Sequence, residues 1–255
     1  MRRKAIQANG SLSIVVFGNS YANAGFHAVV NAFIENIKEI RLVSNAACQP
    51  FVNSTEYAVG DYRRQCPPFI KHSIDYIEDL KPDLIFFLFR QVVFCIIHIF
   101  FIQPIYGVAR PIDNIETDEQ MINMQKTIDR LSLVTKVILI QMPLPASNKG
   151  YTDLLLKILE KKQSFDGLYM DFTAFRATYH FANKRLEHLE CDKCVKIYGH
   201  HIFCDSKICR VFDPDNLLTF YDWATHFNPY AQICLSRLYR DTLLEVLVDQ
   251  RFDED

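Results

Sequence analysis

Ser20 is the residue best placed to do chemistry, because it follows a short apolar run at the start of a helical pattern. Residues 12–17, LSIVVF, are rich in β-branched side chains and are followed by Gly18, which predicts a buried strand. In an open parallel sheet, ligands bind beyond the carboxyl ends of the strands, where Ser20 would lie. Its hydroxyl can act there as a nucleophile, and the helix N-terminus can stabilise the resulting oxyanion. The alternative is that Ser20 only caps the helix.

A serine nucleophile needs a general base, and residues 221–232, YDWATHFNPYAQ, supply a candidate before the last predicted helix. His226 can accept the Ser20 proton, while Asp222 can orient the imidazole and stabilise the imidazolium. The alternative is that Asp222 is only a turn residue.

Strands that alternate with helices are predicted to position these residues. Short apolar runs predict strands at 12–17, 40–43, 84–89 and 136–141. Helical spacing predicts helices at 22–37, 69–80, 116–131, 151–162, 172–189 and 228–248, and residues 44–68 are expected to form a loop that ends at Pro67-Pro68. This order predicts an α/β fold, a three-layer α/β/α sandwich with a mostly parallel sheet, in a single domain over 1–255.

One apolar segment interrupts this order. Residues 92–102, VVFCIIHIFFI, extend the third strand beyond Arg90. With residues 84–89 the run is long enough to suggest a membrane span, but Arg90 and Gln91 interrupt it, and a buried arginine is costly in lipid. We therefore expect an atypical apolar insertion near 91–110, with a membrane span and an unspliced stretch of the gene as alternatives.

Composition narrows the function classes. The 255 residues are 49% hydrophobic and 23% charged, which is typical of a globular protein, and the net charge of −2 argues against general nucleic-acid binding. Residues 5–13 are too polar for the apolar core of a signal peptide. No export signal is visible, whereas the cysteines described next indicate an oxidising compartment, so the chain is expected to be part of a longer membrane protein or an incomplete gene model.

The cysteines indicate an oxidising compartment. Six of the eight lie in loop-like segments and fit three disulfides: Cys48, Cys66, Cys191, Cys194, Cys204 and Cys209. The rival interpretation is a structural zinc site, held by Cys191 and Cys194 with either Cys204 and Cys209 or His200-His201. Free thiols are a further alternative. The disulfide interpretation places the domain on the extracellular or lumenal side of a membrane.

Together these motifs resemble the SGNH (GDSL-like) hydrolase superfamily, and most closely the C-terminal SGNH domain of many membrane acyltransferases. The first block of that family usually reads Gly-Asp-Ser-His-Ala, and residues 18–22 here read GNSYA. The paired cysteines around a Pro-rich loop, the late cysteine cluster and the prolines in ILIQMPLP are similar too. The resemblance covers roughly residues 12–245. The Asp-His block is one residue longer than the usual Asp-x-x-His, and the Gly and Asn blocks of the oxyanion hole have no secure match.

The resemblance implies an SGNH/flavodoxin-like fold and a serine esterase or O-acyltransferase without a cofactor or metal ion. Its catalytic residues would be Ser20, Asp222 and His226, and the oxyanion or substrate-binding residues Asn19, Tyr21 and Arg90. Cys48 would pair with Cys66, and the late four cysteines among themselves. The partners would be an acyl donor, a hydroxyl acceptor on a carbohydrate or lipid, and a membrane acyltransferase domain. The alternatives are a catalytically inactive SGNH-fold binding module and a zinc-stabilised interaction domain.

Overall fold

The computed structural model describes residues 2–53, 62–90, 94–98, 101–105, 109–145, 150–165, 168–222 and 226–249. The strands in these residues are β1 (Arg2–Gln7), β2 (Leu12–Gly18), β3 (Ile37–Ser44), β4 (Leu84–Leu88), β5 (Phe94–His98), β6 (Phe101–Ile105), β7 (Val137–Gln141), β8 (Tyr169–Asp171), β9 (Cys194–Ile197), β10 (Ile208–Arg210), β11 (Phe212–Asp213) and β12 (Leu218–Thr219). The α-helices are α1 (Ser20–Phe33), α2 (Tyr62–Leu80), α3 (Glu119–Ser132), α4 (Tyr151–Glu160), α5 (Phe172–His188) and α6 (Pro229–Asp249).

A six-stranded sheet in the order β1-β3-β2-β4-β7-β9 forms the centre of the fold. Only its edge strand β1 runs antiparallel to its neighbour, and the other pairs are parallel. The five parallel strands follow the flavodoxin-like order, in which the strand order reverses between β2 and β4. The predicted three-layer α/β fold with a mostly parallel sheet is confirmed, and its topological switch point lies where β2 and β4 end.

The sheet is buried on both faces because alternate side chains of a strand point to opposite sides. Val16 and Phe86 pack in the cluster that contains α1 and α6, where the Phe86 and Tyr239 rings are 4.9 Å apart. The next residues, Phe17 and Phe87, pack in the cluster that contains α2 and α3. Two-sided burial accounts for the nearly continuous apolar runs of β2 and β4.

Several predicted boundaries were wrong. The first helix covers Ser20–Phe33 instead of 22–37, because Ile37 already pairs with Leu12 in the sheet. Helix α2 begins at Tyr62, so Pro67 and Pro68 lie inside it and not at the end of a loop. Strands β1 and β9 were not predicted, since their sequences, RRKAIQ and CVKI, carry little apolar periodicity.

The apolar segment after Arg90 is not a continuation of β4. Strand β4 ends at Leu88, and β5 and β6 form an antiparallel hairpin, with Phe94 opposite Ile105. In the described parts of the chain, no helix is long and apolar enough to cross a membrane. Residues 91–93, 99–100 and 106–108 of the expected insertion lie outside the described residues.

The six cysteines that were expected in loops form disulfides: Cys48–Cys66, Cys191–Cys194 and Cys204–Cys209. The zinc interpretation was wrong, because each of the four late sulfurs is bonded to another cysteine and is no longer a thiolate ligand. Nowhere in the described ranges do three His, Cys, Asp or Glu side chains group in a way that could hold a metal ion.

Candidate active site

The site begins where β2 and β4 run side by side and end. A side chain at Gly18 would place its Cβ 1.9 Å from the Leu88 carbonyl oxygen, so glycine is required for this close approach. Helix α1 starts two residues later. Its N-cap is Asn19, whose Oδ1 accepts a hydrogen bond from the Tyr21 N–H at 3.1 Å. The alternative in which Ser20 caps the helix was therefore wrong, because Asn19 already fills that role.

The Ser20 hydroxyl instead lies against His226. Ser20 Oγ and His226 Nε2 are 3.0 Å apart, although the residues are separated by 206 positions in the sequence. On the other side of the ring, His226 Nδ1 is 3.6 Å from Asp222 Oδ2, which is within ion-pair range but longer than a hydrogen bond. The structure thus brings together the three residues that sequence analysis named as nucleophile, base and orienting acid.

The loop that carries His226 is closed by hydrogen bonds at its base. The Asp222 N–H donates to the His226 carbonyl, and the His226 N–H donates to Asp222 Oδ1, both at 2.9 Å. The buried Tyr221 hydroxyl donates to the Pro145 carbonyl at 2.9 Å, and burial raises its pKa, so this donor stays protonated. The longer Asp-His block therefore still presents His226 to Ser20.

A buried amide cluster holds the end of β4. Asn19 Nδ2 donates to the Arg90 carbonyl at 3.0 Å, and the Arg90 N–H donates to Asn19 Oδ1 at 3.3 Å. Gln49, which is 1% exposed, donates to the same Arg90 carbonyl at 3.0 Å. Gln49 was not predicted as a site residue from the sequence. Its signal was a polar residue in the loop after the second parallel strand, which ends at the same edge of the sheet.

Arg90 and Tyr21 connect this cluster to the histidine. Arg90 Nη1 donates to the Tyr21 hydroxyl at 3.0 Å, and the Tyr21 ring packs against the His226 ring with centroids 4.7 Å apart. The buried Tyr179, also missed from the sequence, faces the same guanidinium. Burial opposes the charge on Arg90, but the hydroxyls of Tyr179 and Tyr21 outweigh it and raise the Arg90 pKa.

The environment of His226 favours its neutral form. Burial lowers the pKa of the imidazole most, Asp222 raises it, and the charge on Arg90 lowers it, with a net shift below the ordinary 6.5. At neutral pH His226 can therefore accept a proton at Nε2. The arrangement has the parts that nucleophilic acyl transfer requires: a hydroxyl, a neutral base in contact with it and an acid beside the base.

The N-terminus of α1 offers a donor for an oxyanion. The Tyr21 N–H is bonded to the Asn19 side chain, and the Ala22 and Asn23 N–H groups donate to the Asn19 carbonyl. No acceptor among the described residues takes the Ser20 N–H. This N–H lies next to the Ser20 hydroxyl, where the oxyanion would form if that hydroxyl attacked an acyl group.

Comparison with known proteins gives the family. The sequence model of SGNH domains fused to AT3 domains matches residues 3–241. The periplasmic domain of a Salmonella ser. Paratyphi A lipopolysaccharide acetyltransferase is similar in structure, with a TM-score of 0.57 and 13% identity over 94% of this chain and 85% of that one. The C-terminal catalytic domain of Streptococcus pneumoniae peptidoglycan O-acetyltransferase A aligns over 96% of this chain and 96% of that one with 12% identity, at a TM-score of only 0.35. No curated protein sequence matches significantly. The chain belongs to the family of SGNH domains that are fused to AT3 domains.

Proposed function

We propose that this chain is a serine-dependent O-acyltransferase or esterase domain that acts on acyl esters, such as acetyl esters, of a sugar or lipid. The observation that carries the proposal is the 3.0 Å contact between Ser20 Oγ and His226 Nε2 at the switch point of the sheet. Family membership supports it, and the similar Salmonella domain belongs to a lipopolysaccharide acetyltransferase.

In the first half-reaction, His226 Nε2 takes the Ser20 proton as Oγ attacks the acyl carbonyl carbon. The negative charge on the carbonyl oxygen is stabilised by the Ser20 N–H. The tetrahedral intermediate then collapses. His226 returns the proton to the leaving oxygen, and the acyl group stays on Ser20 as an ester.

In the second half-reaction, His226 takes a proton from water or from an acceptor hydroxyl, whose oxygen attacks the acyl-enzyme. Collapse of this intermediate releases the acid or the new ester and returns the proton to Ser20. Asp222 orients the imidazole and stabilises its charged form. Asn19 and Gln49 act as positioning residues for the Arg90 loop, while Tyr21 and Arg90 contact the substrate.

The proposed partners are an acyl donor, a hydroxyl acceptor and a membrane acyltransferase domain. The AT3 fusion in the family and the three disulfides of the described residues support a position on the extracellular or lumenal side of a membrane.

Hydrolysis of p-nitrophenyl acetate tests the proposal. The wild-type domain is expected to release nitrophenol catalytically, and Ser20→Ala and His226→Ala are each expected to abolish turnover. Ser206→Ala, which changes an exposed serine elsewhere, is the matched control and is expected to retain full activity. A folded wild-type domain without turnover would favour the inactive binding module instead.

A further inference from the structure

A cavity of about 520 Å³ opens beside α5, and none of its lining residues belongs to the Ser20 site. One wall is the exposed side of α5, and the other is the short 3-10 turn Gly199–Ile202 that follows β9. We call it the Tyr198 groove. Its lining includes Phe172, Asn183, Tyr198, His200 and His201. Its volume is in the usual range for small-molecule sites.

Flat rings line the Tyr198 groove. The rings of Tyr198 and His201 are nearly parallel, with centroids 6.0 Å apart, and both side chains are exposed. Deeper in the groove, the Phe172 ring lies over the His200 ring at 6.3 Å and 24°. A sugar ring fits such surfaces well, because its C–H faces can pack on aromatic rings while its hydroxyls stay at the edge.

Polar groups surround these rings. Burial and the neighbouring His201 lower the pKa of His200 to about 4, so near neutral pH one ring nitrogen donates and the other accepts a hydrogen bond. Asn183 adds an amide, and the rim carries both basic and acidic side chains: Arg176, Lys184 and Glu187. Mixed donors and acceptors suit the hydroxyl groups of a sugar better than they suit an alkyl chain.

The Tyr198 groove lies at the same edge of the sheet as Ser20. Strands β2 and β9 are parallel members of one sheet, and both Ser20 and Tyr198 follow the carboxyl ends of their strands. Three inter-strand spacings separate β2 from β9, which is about 14 Å. A ligand that occupies both places must be longer than one sugar ring.

We propose that the Tyr198 groove binds the distal rings of an oligosaccharide acceptor whose reacting hydroxyl lies at Ser20. This inference rests on the proposed function, because it assigns the acceptor of the same reaction to the carbohydrate class. The rings of Tyr198 and His201 provide the stacking surface, and His200 and Asn183 bind sugar hydroxyls.

Calorimetric titration with cellotetraose, chitotetraose and maltotetraose tests the proposal. The titrated protein is Ser20→Ala, which cannot turn over. At least one of the three is expected to bind saturably, and adding Tyr198→Ala is expected to weaken that binding about tenfold. Tyr169 lies outside the groove and is 44% exposed, compared with 39% for Tyr198. The control variant Tyr169→Ala is therefore expected to leave the affinity unchanged.

The two proposals fail in different measurements. Tyr198→Ala alone is expected to hydrolyse p-nitrophenyl acetate at the wild-type rate, since this small ester does not reach the groove. Absence of binding by all three tetrasaccharides, or equal affinity with and without Tyr198→Ala, would overturn the groove proposal and leave the hydrolysis result standing. Absence of hydrolysis by the folded wild type, with saccharide binding retained, would overturn the catalytic proposal and leave the Tyr198 groove a saccharide-binding site without the acceptor role.

Discussion

Asn19 and Arg90 are joined by two hydrogen bonds across the adjacent ends of β2 and β4, from Asn19 Nδ2 to the Arg90 carbonyl and from the Arg90 N–H to Asn19 Oδ1. Asn19 is buried and also caps α1. One side chain therefore fixes the direction of the helix that begins with Ser20 and the position of the loop that carries Arg90. This double role explains how Ser20, the proposed nucleophile, is presented without being the cap itself.

Asn19→Asp is expected to lower the free energy of unfolding by about 1–3 kcal/mol, although Asp is the usual residue of the family at this position. The aspartate keeps an acceptor for the Tyr21 N–H but has no donor for the Arg90 carbonyl. Asn19→Ala also loses the cap, which adds about 1 kcal/mol of destabilisation. Urea unfolding measures both changes in the free energy of unfolding. Ser20→Ala is the control variant and is expected to be as stable as the wild type. An Asn19→Asp variant as stable as the wild type would contradict the two-bond arrangement.

The pKa of His226 is expected to lie below 6.5 and to shift in opposite directions in two variants. Arg90→Gln removes a positive charge that lowers this pKa, so the pKa rises. Asp222→Asn removes a negative charge that raises it, so the pKa falls further. NMR titration of the imidazole, made in the Ser20→Ala background, measures the shifts without relying on activity.

The same pKa sets the acid limb of the rate profile. Only neutral His226 can accept the Ser20 proton, so kcat/KM of the wild type is expected to decline as the pH falls through a value below 6.5. Arg90→Gln moves this decline to higher pH. An acid limb that stays in place in Arg90→Gln would show that the arginine does not act on the base.

Replacing Cys48 and Cys66 together by alanine is expected to lower the free energy of unfolding by about 3 kcal/mol. The reason is that the unfolded chain loses a cross-link between residues 18 positions apart. The segment between them contains Gln49, so acylation of Ser20 is also expected to slow. The matched control is the double alanine variant of Cys191 and Cys194, only 3 positions apart, which is expected to be less destabilised. Equal losses in the two variants, measured by urea unfolding, would contradict the loop-length argument.

Much of the site could be predicted because its residues follow strong sequence signals. The apolar run of β2 stops at Gly18, and the closing helix α6 follows His226 within three residues. Parallel topology then places both at one edge of the sheet. Chain-order reasoning of this kind finds residues that meet at the ends of strands, such as Ser20, His226 and Asp222.

Features that depend on tertiary pairing could not be predicted. Strand β1 is polar and exists because it pairs with β3, while β9 lies among cysteines and is recognisable only beside β7. Gln49 and Tyr179 reach the site through burial against Arg90, which no local pattern encodes. The β5–β6 hairpin likewise could not be predicted, because its apolar sequence resembles a continuation of β4.

Covalent labelling with a fluorophosphonate, followed by mass-spectrometric peptide mapping, tests the central claim most directly. We expect one modified serine, on the peptide that contains Ser20, because His226 Nε2 lies 3.0 Å from its hydroxyl and can remove the proton. Ser20→Ala is expected to abolish the label, His226→Ala to slow it severely, and Ser206→Ala to leave it unchanged. A label on another serine that persists in Ser20→Ala, or a folded protein that takes no label, would contradict the assignment of Ser20 as the nucleophile.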